Sequence, residues 1–204
     1  MSVDVKPRSI TRLLVLRHGQ SEWNAQGRWQ GQADIELTLE GVRQAHQAAE
    51  KLGTFDLIAS SSLQRARRTA EIIAKNHGVG DVIIDDRLRE SDIGPWEGLT
   101  YDQIEASWPG YLASRQQPEG FEPNRNVVSR MTEVFNEIVT KCRGGQALVI
   151  SHSGVIRTMR RELKVSDTRL ENLGGCWFDI DSNGRLSAGR IVAVIGELNS
   201  SESL

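Results

Sequence analysis

The sequence is poor in cysteine and has no long hydrophobic run. Only two of its 204 residues are cysteines, Cys142 and Cys176, which lie far apart and outside any metal-ligand spacing. A disulfide framework is therefore excluded, and two free thiols are favoured over a single disulfide. The first apolar run covers residues 13–16, too few for a membrane span or a signal-peptide core. We therefore expect a cytoplasmic protein that has no membrane partner.

The sequence also lacks an excess of charge of either sign. Lysine and arginine number 25 against 27 acidic residues, and the net charge is −2. This balance gives no general attraction to nucleic acid, so nucleic acid is not an expected partner. Any positive charge that binds an anionic substrate must be local. The length is sufficient for one domain with a substantial core, and we expect a single domain over residues 1–204, with its core at about 11–196.

Buried-type strands alternate with amphipathic helices along the chain. Continuous apolar runs predict strands at 13–16, 82–84 and 147–150, and residues 55–59 are predicted as a further strand. Helical spacing predicts helices at 39–52, 63–77, 127–141 and 155–163. Asn183-Gly184 predicts a turn that joins strands at 177–180 and 191–195 into a hairpin. The alternation predicts an α/β fold, a three-layer α/β/α sandwich with a mostly parallel central sheet.

Residues 94–126 do not follow this periodicity. They contain Trp96, Trp108 and several prolines, with one short helix predicted at 100–107. Such a segment is typical of a lid or an excursion over a site. Trp108 and Trp177 are expected in the core, whereas Trp96 could either line a pocket or pack beneath the neighbouring loops. The tail after Glu197 is expected to be a frayed end.

Chemically active side chains follow the predicted strands. They are Arg17 and His18 after the first strand, Arg65 one helical turn after the second, Glu90 after the third, and His152 after the strand at 147–150. In an open α/β sheet, ligands bind at the carboxyl ends of the strands. The topology is therefore expected to bring two histidines, two arginines and one carboxylate together.

This set of side chains suits phosphoryl transfer. Guanidinium groups offer rigid forks of donors that bracket a tetrahedral dianion. A neutral imidazole, with an ordinary pKa of about 6.5, is a competent nucleophile near neutral pH. Protonated His152 would stabilise charge on the phosphoryl oxygens, and Glu90 would protonate the departing alkoxide. A phosphohistidine intermediate at His18 follows, with no metal and no cofactor.

Four motifs, in order along the chain, resemble those of the histidine phosphatase superfamily, which contains cofactor-dependent phosphoglycerate mutases and many small-molecule phosphatases. They are LVLRHGQSEWN at 14–24, continued by GRWQGQAD at 27–34 and LTLEG at 37–41; SSLQRA at 61–66; LRE at 88–90 with GPWEG at 94–98; and SHSG at 151–154. The likeness spans about residues 11–160. It implies a phosphoglycerate mutase-like fold and a metal-independent phosphatase of the histidine acid type.

The resemblance also implies roles for individual positions. His18 matches the histidine that is phosphorylated, and Glu90 matches the proton donor. The rest of the phosphate pocket is expected from Arg17, Arg65 and His152. The expected substrate-binding residues are Asn24, Gln30, Gly31, Ser153 and Gly154. The implied partner is a small-molecule phosphomonoester.

Hydrolysis is favoured over the mutase reaction. Mutases of this family are generally longer and carry a basic insert after the proton donor, whereas residues 100–126 contain only Arg115 and Arg125 as cations. Gln30 stands where mutases tend to carry a small hydroxyl residue. A cofactor-dependent phosphoglycerate mutase is the main alternative, and a non-catalytic phosphoester-binding protein of the same fold is a weaker one. The stretch EGFEPNRN at 119–126 replaces a GGES-type motif of many of these phosphatases. The physiological substrate and the oligomeric state, a homodimer among the options, stay open.

Overall fold

The computed structural model describes residues 10–196. The tail after Glu197, predicted to be frayed, lies outside these residues. Within the described range, no helix combines the length and apolar character that crossing a bilayer requires. The single-domain organisation and the cytoplasmic location stay predictions.

The elements alternate between strand and helix for most of the chain. The strands are β1 Thr11–Arg17, β2 Leu57–Ser61, β3 Ile83–Asp85, β4 Gln146–Ser151, β5 Gly174–Ile180 and β6 Leu186–Ala193. The helices are α1 Glu22–Ala25, α2 Leu39–Lys51, α3 Gln64–His77, α4 Tyr101–Ser107, α5 Tyr111–Ser114, α6 Asn124–Lys141 and α7 Ser153–Glu162. Short 3-10 turns lie at Asp86–Leu88 and Gly94–Trp96.

One six-stranded sheet has the order β3-β2-β4-β1-β5-β6. The four strands from β3 to β1 are parallel, whereas β5 runs antiparallel to β1 and pairs with β6 as a hairpin. The mostly parallel α/β sheet predicted from the sequence is therefore confirmed. The central pair matters most for the site, because the register of β1 and β4 places Arg17 opposite Ser151 at the shared carboxyl end.

Helices cover both faces of this sheet. Leu13 and Val15 of β1 belong to one buried cluster with the apolar side chains of α6 and α7. Leu14 and Leu16 point to the other face and share a cluster with those of α2 and α3. Each fully buried side chain of this size contributes about 1.5–3 kcal/mol through removal of apolar surface from water. Residues 13–16 form a continuous apolar run because helices cover this strand on both faces. The three-layer prediction is confirmed.

Some boundaries differ from the prediction. The second strand begins at Leu57 rather than at residue 55, and α6 begins at Asn124, three residues before 127. The ring of Pro123 disfavours a helical conformation for the residue before it, so the helix starts directly after this proline. The last strand was predicted at 191–195 but covers Leu186–Ala193, because an edge strand is half exposed and its first residues are too polar to form an apolar run. The predicted turn at Asn183-Gly184 is present, and Gly184 has a φ of 78°.

The excursion at 94–126 has its own apolar centre. Trp96 is buried there and meets Trp29, Trp108 and Phe121 edge-to-face, with ring centroids 5.3, 6.4 and 5.6 Å away. Trp96 therefore packs within the excursion. Trp108 and Trp177 are half-buried rather than fully buried in the core, and Trp177 stacks beneath the guanidinium of Arg12.

Candidate active site

Two histidines lie side by side at the carboxyl end of the sheet. His18 follows β1 and His152 follows β4, and their ring centroids are 5.2 Å apart. Both are buried, with exposed fractions of 3% and 0%. The parallel pairing of β1 with β4 brings them together, as the strand-end argument predicted.

The hydrogen bond of His18 defines its tautomer. Its Nδ1 lies 2.6 Å from the carbonyl oxygen of Gly19, and because a carbonyl can only accept, Nδ1 carries the proton. The lone pair is then on Nε2. Burial lowers the pKa of His18 well below 6.5, and the positive charges of Arg65 and Arg17 add to this. His18 is therefore a neutral imidazole with an unprotonated Nε2.

The backbone after His18 is held by close packing. The N–H of Gly19 donates to Thr69 Oγ1 at 3.1 Å, and the Thr69 hydroxyl donates to the carbonyl of Arg65 at 2.7 Å. A Cβ atom at Gly19 would lie 2.6 Å from the carbonyl oxygen of Gly41 in α2. Only glycine allows this approach, so the position of the carbonyl that orients the His18 ring depends on packing between the loop and the helix.

Two arginines hold positive charge next to His18. Arg65, which is 1% exposed, donates from Nη1 to the carbonyl of Ala33 at 2.6 Å and from Nη2 to that of Gly31 at 2.8 Å. Arg17 donates from Nη1 to the carbonyl of Leu170 at 2.7 Å. Burial lowers the pKa of Arg65 to about 10, which the nearby carboxylates partly counter, and it also lowers the pKa of Arg17. Both therefore stay charged at neutral pH.

Neither cation is neutralised in the described part of the chain, residues 10–196. No carboxylate there lies within salt-bridge distance of Arg17 or Arg65, and the Nε of Arg65 is buried without a hydrogen-bond partner. A buried charge without a counter-ion is costly. The arrangement therefore favours binding of an anion.

The loop at 31–33 fixes Arg65 through its carbonyls. Gly31 has a φ of 50°, and a Cβ there would lie 2.7 Å from Ile93 and 2.8 Å from Glu97 Oε2. Glu97 in turn accepts the backbone N–H groups of Gln32 and Ala33, both at 2.9 Å. Gly31, expected to bind substrate, thus has a clear part in holding the arginine. The sequence analysis gave Glu97 no role, although it lies in the GPWEG motif.

His152 is held by a serine from the neighbouring strand. Its Nε2 is 2.9 Å from Ser61 Oγ at the end of β2, and its Nδ1 is buried without a partner. Burial, followed by the charge of Arg65, lowers its pKa well below 6.5. Without a bound anion, this shift opposes the protonated His152 that we expected, because a charged ring would lie in a dry site next to two cations.

Glu90 is positioned by the start of α7. Its Oε2 accepts the N–H of Gly154 at 3.0 Å, and its Oε1 accepts those of Val155 at 3.1 Å and Ser91 at 2.9 Å. The first turn of a helix offers unpaired N–H groups and the positive end of its dipole. This contact brings the proposed proton donor to the same end of the sheet as His18 and joins it to Gly154. Ser153, the other residue expected there, is the first residue of α7.

The remaining expected residues lie between β1 and α2, Asn24 in the short helix α1 and Gln30 in the loop after it. Asn24 Oδ1 accepts from the N–H of Ser21 and from Asn172 Nδ2, both at 3.3 Å, and Gln30 Oε1 accepts from Ser21 Oγ at 2.8 Å. Asn172 Nδ2 also donates to the carbonyl of His18 at 2.9 Å. The sequence analysis missed Asn172, and neither a motif nor a period marks it in the loop between α7 and β5.

Comparison with known proteins identifies the family of this chain. The sequence profile of the histidine phosphatase superfamily (branch 1) matches residues 13–184. Glucosyl-3-phosphoglycerate phosphatase of Mycobacterium tuberculosis is 38% identical over 80% of this chain and 80% of its own. A phosphoglycerate mutase-like protein of Arabidopsis thaliana is 33% identical over 83% and 78%.

Solved structures give the same result. A mycobacterial glucosyl-3-phosphoglycerate phosphatase in complex with VO3 superposes with a TM-score of 0.79 at 32% identity, covering 88% of this chain and 97% of the other. A phosphoserine phosphatase mutant from Entamoeba histolytica in complex with phosphoserine has a TM-score of 0.76 at 26% identity, covering 91% and 98%. With the family profile matched over most of its length, this chain belongs to the histidine phosphatase superfamily.

Proposed function

We propose that the protein hydrolyses a small phosphorylated metabolite through a phosphohistidine intermediate at His18. One observation carries the proposal. The neutral His18 lies close to two guanidinium groups, those of the buried Arg65 and the half-buried Arg17, and neither has a carboxylate within salt-bridge distance in residues 10–196. This environment suits a phosphate dianion and leaves a lone pair available to attack it.

The first step transfers the phosphoryl group. Phosphate oxygens accept hydrogen bonds from Arg17, from the free Nε–H of Arg65 and from His152, whose unpartnered Nδ1 carries a proton in the bound state. The Nε2 lone pair of His18 forms the P–N bond as the P–O ester bond breaks. Glu90 gives its proton to the departing alkoxide oxygen.

The second step returns the enzyme to its starting state. Glu90, now a carboxylate, takes a proton from a water molecule as the water oxygen attacks phosphorus. The P–N bond breaks, its electron pair returns to Nε2, and inorganic phosphate leaves. His18 keeps the proton on Nδ1 throughout, since Gly19 O holds it there. The step requires water to reach the phosphorylated histidine.

The mutase reaction is the second candidate. A probable phosphoglycerate mutase of Klebsiella pneumoniae is 37% identical over 70% of this chain, while a metal-independent phosphoserine phosphatase of Arabidopsis thaliana is 32% identical over 78%. Residues 100–126 support hydrolysis, because their two cations, Arg115 and Arg125, are both exposed and form no basic insert. Phosphorylated sugars, phosphoglycerate derivatives and phosphoserine are the substrate classes to test first.

The proposal is tested by release of phosphate from p-nitrophenyl phosphate and by rapid-quench trapping with labelled substrate. The parent should hydrolyse the ester and carry acid-labile label, and His18→Ala should do neither. His46→Ala, at an exposed position on α2, serves as the matched control. Equal phosphate release from the parent and His18→Ala would reject the mechanism. Rapid conversion of 3-phosphoglycerate to 2-phosphoglycerate in the presence of a trace of 2,3-bisphosphoglycerate, with little release of free phosphate, would favour the mutase reaction.

A further inference from the structure

The segment that carries Glu90 is held by side chains from distant parts of the chain. Residues 89 and 90 follow a 3-10 turn and belong to no helix or strand. Four consecutive carbonyls nevertheless accept side-chain hydrogen bonds: those of Arg87 and Arg89 from Arg130 Nη1 at 2.6 and 2.7 Å, that of Leu88 from Ser151 Oγ at 2.8 Å, and that of Glu90 from Gln32 Nε2 at 3.2 Å. These bonds determine the path of the backbone there.

Arg130 makes two of the four bonds and is itself held by Glu122. Its Nε and Nη2 donate to the two carboxylate oxygens of Glu122 at 2.8 and 2.9 Å, and the two side chains are only 17% and 14% exposed. Glu122 also binds the backbone of Asp92, donating its N–H to the carbonyl at 2.8 Å and accepting the N–H at 3.3 Å. The pair therefore holds the chain on both sides of Glu90.

The chemistry of arginine explains why this residue type is needed. One nitrogen of its planar group donates to two carbonyls while the opposite edge pairs with a carboxylate in bidentate geometry. Lysine keeps the charge but cannot make this set of bonds from one ammonium group. The charge of Glu122 neutralises Arg130, so Arg130 does not compete with Arg17 and Arg65 for the phosphate.

We infer that Arg130 and Glu122 are positioning residues for the proton donor, an inference that rests on the proposed function of Glu90. Neither side chain touches the reacting atoms; they act by setting where the Glu90 carboxyl lies. Proton transfer requires that carboxyl within hydrogen-bond reach of the leaving oxygen, and a displacement of about 1 Å can cost about 10²-fold in rate. Loss of the Arg130–Glu122 pair should therefore slow hydrolysis most for substrates with poor leaving groups, because these need protonation of the leaving oxygen most.

The experiment measures a ratio of catalytic efficiencies. For each variant, kcat/KM is determined with p-nitrophenyl phosphate, a good leaving group, and with β-glycerol phosphate, a poor one. This ratio does not depend on the fraction of protein that is folded, so a merely destabilised variant leaves it unchanged. The variants are Arg130→Lys and the milder Glu122→Gln, each in the parent and in a Glu90→Gln background. Glu137→Gln, which removes an exposed partner of Arg87 on the same helix α6, is the matched control.

We expect Arg130→Lys to lower kcat/KM for the poor leaving group about 10- to 100-fold more than for the good one, and Glu122→Gln to act in the same direction. Glu137→Gln should keep the parent ratio. In the Glu90→Gln background, Arg130→Lys should not change the ratio further. An unchanged ratio in both Arg130→Lys and Glu122→Gln, or an equal change with and without Glu90, would overturn the inference. If Glu90→Gln alone leaves the ratio unchanged, the acid role in the proposed function fails instead.

Discussion

The carboxylate of Glu90 occupies the space that a side chain at Gly154 would need. A Cβ atom at Gly154 would lie 2.5 Å from Glu90 Oε1, and the Gly154 N–H donates to Oε2 at 3.0 Å. The absence of a side chain thus permits the hydrogen bond that places the proposed proton donor at the start of α7. The last residue of the SHSG motif is therefore a glycine for a steric reason, since any side chain there would meet the Glu90 carboxylate.

Gly154→Ala should therefore displace Glu90. We expect kcat/KM for β-glycerol phosphate to fall about 10- to 100-fold, with a smaller loss for p-nitrophenyl phosphate. Steady-state kinetics with both esters provides the measurement. Gly53→Ala is the control, since a Cβ there meets no atom within 4 Å. Equal losses on the two esters would argue against displacement of the acid.

Glu97→Ala should weaken phosphate binding, because the 31–33 loop would be held less firmly. Two N–H groups of that loop would lose a charged acceptor, and each such hydrogen bond is worth about 1.5–3 kcal/mol. Part of this loss should reach Arg65 through the carbonyls that hold it, so we expect the inhibition constant of inorganic phosphate to rise about 10-fold. Glu119→Ala, at an exposed position of the excursion, should leave the constant unchanged.

Anion binding should stabilise the fold strongly. A phosphate or vanadate ion would neutralise the charges of the buried Arg65 and the half-buried Arg17. A ligand at 100 times its Kd adds about 2.7 kcal/mol. For a protein of this size, that corresponds to a rise in Tm of about 5–10 °C. Thermal unfolding with and without vanadate measures it. Arg65→Met should abolish the rise, whereas Arg67→Met, which removes an exposed cation paired with Glu71, should retain it.

The pH dependence of stability should report the two buried histidines. Burial holds the pKa values of His18 and His152 well below 6.5, whereas unfolded imidazoles titrate at about 6.5. Below that pH the unfolded chain binds protons that the folded chain does not, so stability falls as the pH is lowered from 6.5 towards the folded pKa values.

Removing His18 should reduce this loss. We expect the unfolding free energy of His18→Ala to fall less steeply below pH 6.5 than that of the parent, by at most about 1.4 kcal/mol per pH unit, the contribution of one proton. Denaturant titrations between about pH 5 and about pH 7, from about 1.5 units below the unfolded imidazole pKa to about 0.5 units above it, measure the slopes. An identical slope for His18→Ala and the parent would contradict a depressed pKa of His18.

Much of the fold could be predicted because its signals are local. The apolar run at 13–16 reflects a strand covered on both faces, and Thr38 caps α2 by accepting the N–H of Gly41. The boundaries that shifted lie where exposure weakens the pattern, as at the polar start of β6. Both cysteines are free, as predicted, and the structure shows that they are also buried.

The sequence by itself determined the sheet and the residue types at its carboxyl edge. The reason is that the hydrophobic patterns of the strands and the motifs at their ends are formed by residues that are neighbours in the sequence. Only the tertiary structure decided how those residues are held: Asn172 binds the carbonyl of His18 across 154 positions, and Arg130 reaches Arg89 across 41. Such contacts join segments that folding brings together. Their polar atoms have no periodic pattern, because each is selected by the single partner that it satisfies.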